Sequence, residues 1–118
     1  MKFFICNAFS LSMLDRVQQS GRDAMEGQRV PKPLSDEVLN EWLRLFLNGK
    51  VEYESAVGHA DTARVFADQL GIPVPVNRVS IKLSNPDDHC IIGQYVGPRL
   101  PEGATSLPEG ASIEWWII

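Results

Sequence analysis

Ten residues in the middle of the chain, Ser55 through Arg64, put a histidine where a proton could be moved beside an anion. A β-type run, Val51 to Val57, meets a helix-type run, Ala60 to Leu70, at the pair Gly58–His59. Glycine permits a tight turn at such a junction. The first turn of a helix leaves N–H groups without intrahelical partners and carries a partial positive charge, so it suits a phosphate. Histidine titrates near neutral pH and can act there as general acid or base. A capping or partly buried role without chemistry is equally open to His59 on these features alone.

Two further segments carry polar groups suited to the same ligand class. Arg99 follows Gly97–Pro98 and precedes Leu100, Pro101, Glu102 and Gly103, so it sits on a loop. Arginine presents a planar fork of donors that matches phosphate. Glu102 could orient that arginine or touch a ligand hydroxyl, and a solvated surface ion pair is the plainer alternative. Asn7, Ser10 and Ser12 lie where the first strand-type run gives way to helix-type sequence. Loops at the carboxyl ends of strands are where open α/β sheets bind ligands. Ser10 also has the simpler reading of a helix N-cap. The second histidine, His89, stands beside Asp87 and Asp88 and reads as a strand-edge surface residue.

These residues need elements to position them. Lys2–Cys6 reads as a buried strand, and Ser10 caps an expected helix running to Gln19, with Leu11, Leu14 and Val17 at spacings of three. Residues 21–34 hold Gly21, Gly27, Pro31 and Pro33 and read as a loop, with a short strand near Gln28–Val30. Ser35 followed by Asp36 and Glu37 starts a helix, whose apolar stripe is Val38, Leu39, Trp42, Leu45 and Phe46. Val51–Val57 is the next strand. Ala60–Leu70 is the next helix, with Val65, Phe66 and Leu70 inward and Gly71 closing it. Val76–Leu83 alternates, with Val79, Ile81 and Leu83 inward, and the turn at Ser84–Asp87 predicts a hairpin with His89–Val96. Ile113–Ile118 is the last strand. The expected fold is therefore α/β: one domain over 1–118, a mixed sheet of roughly five strands and about three helices. The tetrapeptide Leu-Pro-Glu-Gly occurs at 100–103 and 107–110 and predicts two similar turns.

Composition narrows the partners. The chain has 118 residues, a net charge of −4, and 22% charged residues. An acidic balance argues against a broad nucleic-acid-binding face. The two cysteines, Cys6 and Cys90, lie in apolar runs and are expected as buried thiols, with a disulfide as the alternative. There is no CxxC pair, no metal-ligand spacing, no glycine-rich phosphate loop and no Ser-His-Asp pattern. No apolar run approaches membrane-spanning length, and the short apolar N-terminus does not read as a signal peptide. The expectation is a soluble intracellular protein without metal or cofactor.

Four segments in order resemble a known family: Asn7–Ala8–Phe9–Ser10, Ser55 to Ala63, Leu70 to Leu83, and Arg99–Leu100–Pro101–Glu102–Gly103. They are similar to the small viral and phage ring nucleases that act as type III anti-CRISPR proteins, a family once called a domain of unknown function from archaeal viruses. The resemblance implies a homodimer that binds cyclic tetra-adenylate across its two-fold axis and cleaves it without metal to short linear adenylates. It implies catalytic roles for His59, Arg99 and Glu102, and ligand contacts from Asn7, Ser10, Ser12, Gly58 and Arg99. It implies a cytoplasmic location, the host's if the source is viral, and neither duplex nucleic acid nor membrane as partner. This sequence departs from the family in three places. The connection over 20–34 is long and holds Arg22, Arg29 and Lys32, Pro98 stiffens the approach to Arg99, and the C-terminal end lacks the family's short helix. Trp115, Trp116, Ile117 and Ile118 read as strand plus dimer contact. A cyclic-nucleotide sponge that leaves the ring intact, and an inhibitor that docks on a protein through this apolar end, are the alternatives.

Overall fold

Four consecutive apolar residues, Phe3 to Cys6, leave no polar side for water, so the strand that holds them must lie inside a sheet covered on both faces. That is its position in a computed structural model, which describes residues 1–10, 13–14 and 29–118. Strand β1 (Lys2–Cys6) lies between β3 (Glu52–Ser55) and β4 (His89–Val96), parallel to both. Strand β5 (Ser112–Ile117) continues the sheet antiparallel to β4, and β2 (Lys32–Pro33) closes that edge antiparallel to β5. The order is β2-β5-β4-β1-β3, a mixed five-stranded sheet as expected.

Two helices cover one face among the described residues. Helix α1 (Asp36–Leu47) starts at Ser35, whose hydroxyl accepts from the Val38 N–H, with Asp36 and Glu37 against the positive end of the dipole. Its buried residues are Leu39, Leu43 and Phe46. Val38, expected in that stripe, is exposed, because the spacing 39–43–46 with Trp42 beside it is the ridge that meets Phe3. The Phe3 ring lies 4.5 Å from Trp42 and 5.3 Å from Phe46, centroid to centroid. Helix α2 (Ala60–Leu70) ends where Gly71 turns left-handed, φ 70°, and buries Ala63, Val65, Phe66 and Leu70. The helix expected over Ser10–Gln19 lies mostly outside the described residues. Within it, Leu14 is buried.

The other face holds Phe4, Cys6, Cys90, Ile92 and Ile118, packed with Leu14, Ile81 and Leu83. Here the expected hairpin is overturned. Residues 77–83 form no strand, and β4 pairs with β1 and β5 instead. The segment runs extended across the sheet face, with Ile81 and Leu83 buried but Val79 exposed, and the Leu83 N–H donates to the Met13 carbonyl at 2.6 Å. Alternating burial marks an extended chain with one side covered, and a cover strap produces it as well as a ladder strand does. The turn itself is present: Asn85 accepts from the Asp88 N–H through its carbonyl and from the Asp87 N–H through its side chain. The short strand expected near Gln28–Val30 instead falls at Lys32–Pro33, on an edge where proline is tolerated.

Cys6 and Cys90 form a disulfide, which replaces the expectation of two free thiols. Phe4 stands opposite Cys90 in the register, so Cys6 is its diagonal neighbour on the same face, with Cα atoms 6.8 Å apart. The two copies of Leu-Pro-Glu-Gly form matching turns. Gly103 and Gly110 both have φ 80°, and Ala104 and Ala111 each donate at 3.1 Å to the carbonyl three residues back.

Two outcomes follow from this packing. A Cβ at Gly93 would stand 2.6 Å from both Phe66 Cζ and Trp115 Cζ3, so Gly93→Ala is expected to lower the unfolding free energy by about 1–3 kcal/mol in urea titration. The disulfide spans a sequence separation of 84 residues. Reduced and oxidised protein should therefore differ by about 4–5 kcal/mol if chain entropy dominates. Equal denaturation midpoints would overturn that assignment.

Candidate functional site

Because β1, β3 and β4 are parallel, their carboxyl ends emerge at one rim of the sheet. Asn7 follows β1, residues 56–59 follow β3, and the loop after β4 begins at Gly97. Three segments far apart in sequence thus arrive at the same edge, where open α/β sheets bind ligands.

His59 is the N-cap residue of α2, extended at φ −118° and ψ 133°, and its side chain makes no capping bond. The imidazole is exposed beside first-turn N–H groups that it does not cap. The backbone leading to it is held from outside. Asn77 donates its side-chain amide to the Ser55 carbonyl at 2.7 Å and its backbone N–H to the Val57 carbonyl at 2.8 Å. The Arg78 guanidinium donates to the Gly58 carbonyl at 3.2 Å. Gly58 is not left-handed, so the expected need for a tight glycine turn is not what places it there. Instead the Arg78 side chain lies along it, 3.4 Å from where a Cβ would stand. Reading 76–83 as a hairpin strand hid the roles of Asn77 and Arg78.

The Arg99 loop is tied down at both ends. The Tyr95 hydroxyl donates to the Pro98 carbonyl. At the far end, the Gly103 N–H donates to Asp61 Oδ1 at 3.1 Å, and Arg64 Nε donates to the Ala104 carbonyl at 3.3 Å. Arg64 also pairs with the Asp61 carboxylate. Both residues belong to α2, so the loop is docked on the first turns of the helix that His59 caps. Asp61, Arg99, Leu100, Pro101 and Glu102 line an open cleft of about 560 Å³. Among the described residues neither Arg99 nor Glu102 has an ion-pair partner, so Glu102 does not orient Arg99 through a salt bridge here.

Asn7 faces this region as well. With Thr62, Val65, Phe66, Gln94, Tyr95 and Leu100 it lines a cavity of about 240 Å³ between α2 and β4. Gln94 escaped the sequence reading because it lies mid-strand among apolar residues. Ser10 is exposed just beyond Asn7, and Ser12 lies outside the described residues. Of the basic residues in the long connection, Arg22 also lies outside them. Arg29 donates to the Asp88 carbonyl at 2.8 Å, at the amino end of β4 and so at the opposite rim. Lys32 sits on the outer strand β2, paired with Ile117. The apolar C-terminal end forms the expected strand, and much of it packs inside the chain. Trp115 meets Phe66 edge-on at 5.1 Å and Ile118 is buried.

The profile of the STIV B116-like family matches residues 3–113. The chain belongs to that family. Among solved structures it is similar to B116 of Sulfolobus turreted icosahedral virus, with a TM-score of 0.70 and 24% identity, over 99% of this chain and 97% of that one. This likeness to B116 is one of fold. No curated protein matches the chain. The STIV B116-like domain has no helix, among the described residues, long and apolar enough to cross a membrane.

His89, the second histidine of this STIV B116-like chain, is half-buried rather than a surface residue, because it starts β4 between β1 and β5. Its ring lies 5.2 Å from Phe3, and Nδ1 is 3.2 Å from the Ile118 carbonyl, which makes Nδ1 the protonated nitrogen. Burial holds its pKa below the usual 6.5. A depressed histidine binds its proton more readily when unfolded, so its contribution to stability is lost as pH falls below about 6.5. The melting temperature should drop between pH 7 and pH 5, and His89→Gln should flatten that drop; an identical slope in the variant would refute the assignment.

Proposed function

We propose that this protein is a metal-independent ring nuclease that binds cyclic tetra-adenylate across a homodimer and cleaves it to short linear adenylates, lowering type III CRISPR second-messenger signalling. The observation that carries this reading is the docking of the Arg99–Glu102 loop onto α2, the helix that His59 caps. A proton donor, a guanidinium with no ion-pair partner among the described residues, and helix N–H groups that His59 does not cap then lie along one rim.

The chemistry suits an RNA ring. Its 2′-hydroxyl is the nucleophile: it gives up its proton to solvent and attacks the adjacent phosphorus in line, forming a 2′,3′-cyclic phosphate and expelling the 5′-oxygen. His59 as imidazolium gives its proton to that oxygen. Arg99, without an ion-pair partner among the described residues, faces the charge that builds on the phosphorane. Glu102 has no ion-pair partner among the described residues, which favours a contact with a ribose hydroxyl over a salt bridge to Arg99. Asn7 and the first turn of α2 supply neutral donors for the backbone of the ring. A two-fold axis presents two copies of each group to a ring of four-fold pseudo-symmetry, so one histidine per chain makes two equivalent centres. Net acidity does not oppose this, since the contacts are local. The reading of the apolar C-terminal end as a docking surface is less favoured, because Trp115 and Ile118 pack within the chain.

Incubation with cyclic tri-, tetra- and hexa-adenylate in the presence of a chelator is expected to linearise the tetra-adenylate ring. His59→Ala should slow that reaction about 10²–10⁴-fold while the ring still binds. A ring bound tightly but recovered intact from the unaltered protein would replace the nuclease with a sponge.

A further inference from the structure

Resting on the cleavage reading above, we infer that Asp61 is a positioning residue of the site, acting with Arg64 as the latch that sets the Arg99–Glu102 loop against α2. Asp61 lies two residues beyond His59, in the first turn of the same helix. Its Oδ1 receives the Gly103 N–H at 3.1 Å and also pairs with Arg64. Arg64 reaches past it to the Ala104 carbonyl at 3.3 Å. One helical turn thus holds two successive backbone groups of a turn that Gly103, at φ 80°, fixes in shape. The segment between Pro98 and Gly103 is clamped at its other end by Tyr95. Arg99 and Glu102 therefore move with α2 and with His59, instead of with the exposed loop.

The ion pair has a second consequence. Asp61 lines the same cleft as Arg99, and an unpaired carboxylate there would capture the guanidinium. Engaged by Arg64 and the Gly103 N–H, it leaves Arg99 available to an anion. A bond made to the loop and not to the ligand should act on the geometry of the reacting groups more than on ground-state binding, and displacement of a reacting group by about 1 Å costs on the order of 10²-fold in rate.

The test compares the unaltered protein with Asp61→Ala and Asp61→Asn, using cyclic tetra-adenylate in single-turnover cleavage, equilibrium binding of the ring, thermal melting, and amide exchange at Gly103. Asp61→Asn keeps an oxygen that can accept from Gly103. Asp61→Ala should cleave about 10–100-fold more slowly at saturating ring, with affinity within about threefold and a near-unchanged melt, while Asp61→Asn recovers most of the rate. In Asp61→Ala the Gly103 amide should exchange about tenfold faster than in the unaltered protein, the worth of one such hydrogen bond. A wild-type rate in Asp61→Ala, or Asp61→Asn as slow as Asp61→Ala, overturns the latch. If the unaltered protein leaves the ring intact, the cleavage reading fails by itself. The amide then decides the latch: faster exchange in Asp61→Ala than in Asp61→Asn upholds it, and equal exchange in all three proteins overturns it.

Discussion

Everything in this fold answers to the burial of β1 on both faces. Phe3 and Ile5 point to one side, Phe4 and Cys6 to the other, and all four are at most 9% exposed. A strand so apolar must have a hydrogen-bonded neighbour on each edge and a covering layer on each face, because unpaired backbone groups cannot be left in an apolar interior. The neighbours are β3 and β4, and the layers are the two helices on one side and the 77–83 strap with Met13 and Leu14 on the other. Parallel neighbours need long crossover connections, and those bring Asn7 and His59 to one rim, where the loop between the antiparallel strands β4 and β5 brings Arg99. The site is in this sense a by-product of how a central strand is covered.

The parts of the fold legible in the sequence were those that announce their own ends. Ser35 and Asn48 bound α1 and Gly71 closes α2, and the helices start and stop where those residues say. The unbroken apolar run of β1 and the longer runs of β4 and β5 also declared themselves. The 76–83 segment misled because periodicity reports which side of a chain is buried and carries no information about what lies beside it. Val38 misled for a related reason: which of two overlapping stripes a helix buries depends on the partner it meets, here Phe3. The pairing of Cys6 with Cys90 depends on strand register, which no local pattern encodes.

The same division runs through the site. His59 and the Arg99–Glu102 loop stood out because their residue types are chemically loaded and their neighbours are turn formers. Asp61, Arg64, Asn77 and Arg78 did not, since surface charges on a helix and polar residues in an extended run are ordinary by type. What distinguishes them is the backbone group each one reaches: Gly103, Ala104, Ser55, Val57 and Gly58. These are tertiary bonds between segments 20 to 42 residues apart.

The two Leu-Pro-Glu-Gly tetrapeptides amount to a control experiment written into the chain. They share a sequence, a turn geometry and a glycine at the same φ. Glu102 lines the cleft with Arg99, and the turn that carries it abuts Asp61. Glu109 occupies an identical turn on the way into β5. Whatever separates the two glutamates cannot be local conformation or intrinsic reactivity, which are duplicated. It is address alone, and address is set by a helix sixty residues into the chain.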